Sequence, residues 1–147
     1  MTPTLFGRIQ SRIFLVVTVG VPLAFLLALF LPRPSDATTY GDMVEVFLHA
    51  LLIVAVAGIV WEFIYHALQQ LRWEKDWPTV FGLVQGVPEA ISTYLLLDAG
   101  ITKDFGDVPL GTFLPMFVIV WIVIWLVANG PLQIFFLRWR YRGGRFV

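Results

Sequence analysis

The chain has 147 residues, 59% apolar and only 14% charged, with thirteen Phe and six Trp. Soluble domains carry about 25% charged residues, so this composition excludes an ordinary water-soluble globule and points to an integral membrane protein. Zero net charge removes any global field that would draw nucleic acid. The absence of Cys removes disulfides, thiolate metal sites, iron–sulfur clusters and Cys nucleophiles.

The first predicted span is Ile13–Leu31, uncharged throughout and long enough for a hydrocarbon core that needs about 20 helical residues. Its length, and the Pro32-Arg33-Pro34 that follows, favour a retained anchor over a cleaved signal peptide. Pro22 is placed to kink it. With Thr18 as its one polar handle, this helix is expected to be the most lipid-exposed.

The second span is Met43–Leu71, longer than a bilayer needs and therefore tilted or projecting. Asp42 and Glu45 have capping-box spacing at its start. The third is predicted over residues 79–99, with Asp76 as cap, Pro78 in the first turn and Gly100 as stop. The fourth is predicted over 112–137, with Pro115 in its first turn and a break near Asn129-Gly130-Pro131. The fold expected is thus one all-α domain over 1–147, a four-helix transmembrane bundle.

Eight of the ten Lys and Arg fall on one side: Arg8, Arg12, Arg72, Lys75, Arg138, Arg140, Arg142 and Arg145. By the positive-inside tendency both termini are cytoplasmic, in a bacterial-type inner or plasma membrane. Trp73, Trp77, Trp139 and Tyr141 mark the same interface. The tail Arg138, Arg140, Arg142 and Arg145 reads as a lipid-headgroup anchor.

The third span carries the most unusual residue, Glu89, near its middle. Gly82, Gln85, Gly86, Glu89, Ala90 and Thr93 fall on one face at helical spacing, so this face must meet protein or water. Gly82, Gly86 and Ala90 form a small-xxx-small packing stripe, used within the chain or across a dimer.

Counted at 1.5 Å per residue, Glu89 lies about 15 Å from the inner face, and Asn129 and Glu62 about 13 Å. Gln85, Gln133 and His66 share a second level at roughly 7–9 Å. A polar cluster between the second, third and fourth helices is expected. A buried Glu89 there is either neutral, donating to Asn129, or charged and paired with protonated His66 or another cation.

Glu62 and His66 share a helix face but fall short of the three or four ligands a metal needs, so no metal is predicted. His49 lies on another surface, where haem or pigment ligation is the remote reading and no cofactor the main one. No nucleophile elbow, Walker loop or HExxH occurs. Three functions remain: a small accessory subunit packing with other membrane helices, a homodimeric proton- or cation-coupled transporter centred on Glu89, and a lipid or isoprenoid enzyme using Glu62 and Glu89 as acid and base.

Overall fold

The computed structural model describes residues 4–33, 37, 39–73, 78–100 and 108–146. Lys75, Asp76, Trp77, Lys103, Asp104 and Asp107, including the expected cap Asp76, lie outside these residues. The chain is helical, with four helices long and apolar enough to cross a membrane: α1 Leu5–Leu27, α2 Tyr40–Leu71, α3 Thr79–Asp98 and α4 Leu110–Phe135. A short α5, Leu137–Tyr141, follows.

α1 starts eight residues before the predicted boundary at Ile13. Thr4, in extended conformation, accepts the Gly7 N–H through its hydroxyl at 3.1 Å and caps it. This draws Arg8 and Arg12 into the helix. Pro22 does not break α1. It has no N–H to donate, and its ring crowds the carbonyl four residues back. The helix instead widens into a π turn over Val16–Gly20, where the Val21 N–H reaches Val16 O.

α2 is capped by Thr39 with Asp42, not by Asp42 with Glu45. Asp42 N–H donates to Thr39 Oγ1 at 3.2 Å, and Thr39 N–H donates to Asp42 Oδ2 at 2.7 Å. Half of its most apolar window is buried, against 22% for α1 and for α3 and 28% for α4. α2 is therefore the central strut.

α3 and α4 are interrupted, each just ahead of a proline. Pro88 leaves Val84 O without its helical donor, and α3 breaks at Gln85. Beside the break, the Tyr65 hydroxyl donates to Gln85 O at 3.1 Å, a carbonyl that also accepts the Glu89 N–H at 3.4 Å. Gly100, at φ 76°, then ends the helix with its N–H on Leu97 O. In α4, Pro115 lies inside the helix. The break falls at Gly130 (φ −118°, ψ −99°), ahead of Pro131, as the sequence predicts.

Each helix packs on its neighbours in sequence, and α4 closes against α1. α1 faces α3 across one diagonal and α2 faces α4 across the other. The apolar core fills the half of the bundle far from the termini: Ala24 of α1 and Ala28 just beyond its end, Met43, Phe47 and Ala50 of α2, Leu97 of α3, and Phe113 and Met116 of α4. Both chain ends meet at the opposite end, where Thr4 N–H donates to Gly143 O at 2.9 Å.

The glycine stripe of α3 packs on α4. Trp121 Nε1 donates to Gly82 O at 3.1 Å, and Trp125 Nε1 donates to Thr79 O at 3.0 Å. A Cβ on Gly86 would stand 2.8 Å from Trp121 Cδ1, inside normal contact. Gly86→Ala is therefore expected to cost about 1–3 kcal/mol by overpacking. A Trp121→Leu background should remove most of that cost. Denaturation of the four proteins of this double-mutant cycle measures the coupling, and simple additivity would refute the contact.

Candidate functional site

The polar half of the bundle is built from α1 and α2 outward. Arg8 and Arg12 stand one turn apart on α1, and Glu62 and Gln69 stand two turns apart on α2. Facing each other, the two rows form a ladder. Arg8 reaches Glu62 Oε2 with Nη1 at 3.4 Å and Gln69 Oε1 with Nη2 at 3.0 Å. Arg12 reaches Glu62 Oε1 with Nε at 3.0 Å and Nη2 at 2.8 Å.

Arg12 also crosses the diagonal to α3. Its Nη1 and Nη2 hold the two oxygens of Glu89, each at 2.7 Å. This is the planar two-point geometry in which guanidinium binds carboxylate best. The Glu89 residue is 1% exposed and the Arg12 side chain 8%. Two guanidiniums and two carboxylates make the cluster neutral, which is the condition for burying charge in a bilayer.

Gly58 makes room for this crossing, since a Cβ there would overlap the Arg12 guanidinium. On the far side Arg12 lies 6.0 Å from the centre of the Trp121 ring. Trp61 Nε1 donates to Ser92 Oγ at 2.9 Å, fastening α2 to α3 beside Glu89.

Glu62 and Glu89 thus come together as expected, but through α1, and neither His66 nor Asn129 is the partner. Asn129 is exposed and donates to Trp125 O of its own helix at 2.8 Å. Gln133 turns to Ala128 O in the same way at 3.4 Å. What α4 contributes to the cluster's surroundings is indole surface. His66 is half-buried, and its Nδ1 has no hydrogen-bond partner among the described residues. Gln85 sits at the α3 break with its Nε2 buried and equally without an acceptor. His49 Nδ1 lies 2.8 Å from Glu45 O on the same helix. Among the described residues no three His, Asp or Glu side chains gather into a metal-holding group.

α1 shares with α3 the least buried apolar window, yet its first turns, ahead of the span predicted from Ile13, carry the buried cations Arg8 and Arg12. The tail packs back on the bundle. Gly143 (φ 63°) and Gly144 (φ 86°) turn it back over α1. There Trp139 Nε1 donates to Ser11 Oγ at 2.7 Å, and Phe146 N–H donates to Gln10 Oε1 at 2.9 Å. A Cβ on Gly7 would collide with the Gly143 carbonyl, so only glycine admits this crossing. Arg138, Arg140, Arg142 and Arg145 remain exposed around the tail.

Arg8 and Arg12 were readable as a one-turn pair, but their position at a span end gave them the look of interfacial charges. The need of a buried Glu89 for a cation was the signal that could have moved them inward.

A cavity of about 220 Å³ lies against the ladder. Arg8, Arg12 and Glu62 line its charged wall, and Gln85, Trp121 and Trp125 line the side toward α3 and α4. Val16 from the π turn and Asn129 from the edge of the α4 break also line it, so it touches all three helix irregularities. No family model, curated protein or solved structure matches this chain.

Removing Arg12 strands the buried Glu89, while Glu62 keeps Arg8. Arg12→Met is expected to destabilise the protein by about 3–5 kcal/mol. The double variant Arg12→Met, Glu89→Gln should regain most of that loss, because Arg8 and Glu62 then balance each other. Denaturant titration in mild detergent reads both changes. A double variant no more stable than the single one would show that pairing is not what holds the cluster.

Proposed function

We propose that this chain is a small integral membrane protein that holds an amphiphilic ligand in the cavity beside its ion ladder, in the manner of a carrier or transporter. The observation that carries this reading is the cavity itself, which places a charged wall, an apolar wall and a broken helix around one space. Irregular backbone at membrane depth is tolerated where it is buried in protein or lines a cavity. Discontinuous helices are also how many transporters build binding sites.

Proton or cation coupling is a more specific version, and one observation favours it. A single guanidinium binds both oxygens of Glu89. A proton on Glu89 would therefore loosen Arg12 from α3 and alter the charged wall. The accessory-subunit reading loses the stripe of Gly82 and Gly86 as a docking face, because Trp121 and Trp125 already cover it. A homodimer through other lipid-facing surfaces stays compatible with the carrier reading. The lipid or isoprenoid enzyme is the weakest reading, since Arg12 engages both of its candidate acid–base groups.

The orientation proposed keeps both termini cytoplasmic. With Arg8 and Arg12 withdrawn into the bundle, Arg72, Lys75 and the four tail arginines still outnumber Arg33 and Lys103. The four exposed tail arginines would then meet anionic headgroups. The native chain has no Cys, so single cysteines test this cleanly. An impermeant maleimide on intact cells should label Gly41→Cys, and should label Arg145→Cys only after permeabilisation. The reverse pattern inverts the topology.

Native mass spectrometry of protein extracted gently from its own membranes tests the function. A bound small molecule is expected on the wild type and lost in the cavity-filling variant Val120→Trp. Ligand-free protein in both, with larger subunits at fixed stoichiometry, would replace the carrier reading with that of an accessory subunit.

A further inference from the structure

The chemistry of the cavity wall narrows the ligand. Its charged groups belong to a ladder of two guanidiniums and two carboxylates that already balance. An added ionic head would leave one charge uncompensated in low dielectric, so the site disfavours anions and cations alike. A lipid phosphate is thereby a poor match despite the two arginines.

The tryptophans give the second constraint. Trp121 and Trp125 line the cavity, but their indole N–H groups are already bound to the backbone carbonyls of Gly82 and Thr79. They offer ring surface and no free donor. Val54, Met116, Phe117 and Val120 continue an apolar wall. A dry site of about 150 Å³ takes one benzene ring. The volume of about 220 Å³ therefore suits a substituted ring and not a whole lipid.

Gln85 gives the third. Its Nε2 is buried and has no acceptor, and the residue lines the same cavity. A buried donor left unpaired costs free energy, which an arriving acceptor recovers. The α3 break places this side chain where the backbone is already irregular.

We infer that the cavity binds an uncharged, ring-headed lipid of the quinone class, whose carbonyl accepts a hydrogen bond from Gln85 Nε2 while its ring lies against Trp121 and Trp125. The inference rests on the carrier reading and concerns binding alone. The apolar tail of such a molecule would leave the cavity toward the acyl chains.

The test uses the full chain in nanodiscs of zwitterionic phospholipid, with tryptophan fluorescence as readout. Three probes share a ten-carbon tail: decylubiquinone, decyl phosphate and decylbenzene. Decylubiquinone is expected to bind saturably, and at least about tenfold more tightly than either of the others. Gln85→Met keeps side-chain length without the donor, and should weaken decylubiquinone about five- to tenfold, the loss of one neutral hydrogen bond. It should leave decylbenzene unchanged. Val120→Phe, which fills the cavity, should abolish saturable binding, and competition with radiolabelled decylubiquinone reads this independently of quenching.

Tighter binding of decyl phosphate, or indifference of decylubiquinone to Gln85→Met, would overturn the quinone assignment while leaving the cavity as a ligand site. Failure of all three probes to bind, together with a ligand-free native mass, would overturn the carrier reading as well.

Discussion

One guanidinium shared by two carboxylates sets the terms for the bundle. Arg12 leaves α1, passes over Gly58 of α2 and binds Glu62 on that helix and Glu89 on the opposite one. In hydrocarbon none of these ions can remain alone, because desolvation of a single buried charge outweighs most of what packing can return. Sliding α1 by one turn along α2 would break the contacts of Arg12 with both carboxylates. The charge ladder therefore fixes the register of three helices, while the apolar core further along supplies contact area. Its strength is a matter of specificity more than net stability, since a buried ion pair often does no better than a well-packed apolar substitute.

The two halves of the bundle are built differently. Far from the termini, small Ala24, Ala28 and Ala50 let helices approach, and Phe47, Phe113 and Met116 fill the space between them. Near the termini, polar and indole side chains replace that packing. α3 is held there by side-chain donors on both flanks: Tyr65 and Trp61 from α2, Trp121 and Trp125 from α4. Such donors are what a helix interrupted within a membrane requires, since no solvent is present to satisfy freed carbonyls. The tail closes this end through the Ser11 hydroxyl, which accepts from Trp139 and is shared between the Gly7 and Gly144 carbonyls at 2.7 and 3.0 Å.

Three prolines show how one covalent constraint resolves into different geometries. Each removes an N–H from its helix and crowds the carbonyl four residues earlier. At Pro22 the chain inserts a π turn. At Pro88 it breaks, and a tyrosine from another helix donates to the neighbouring Gln85 carbonyl. At Pro131 the bend falls on Gly130, where a Cβ would stand 3.1 Å from Leu126 O. All three irregularities touch the same cavity. The cavity is therefore a consequence of where the prolines sit, as much as of which side chains face it.

Much of this was legible in the chain alone. Long apolar runs determined four spans, because every helix crossing hydrocarbon must present apolar side chains over about 20 residues whatever it packs against. Gly100 as a stop, the break before Pro131 and the close-packing stripe of Gly82 and Gly86 are local properties and were equally readable. The nearness of Glu62 and Glu89 followed from depth. What the chain could not disclose was which face meets which. Arg8 and Arg12 at a span end satisfy the membrane equally well by snorkelling to the interface or by turning inward, and only the opposed carboxylates decide between them. Asn129 and Gln133, at matching depths, lost their expected partners because each found a carbonyl on its own helix. Helical periodicity assigns residues to one side of one cylinder. The rotation of that cylinder against its neighbours is set by contacts between residues far apart in the chain, such as Arg12 with Glu89, and it exists only in the assembled bundle.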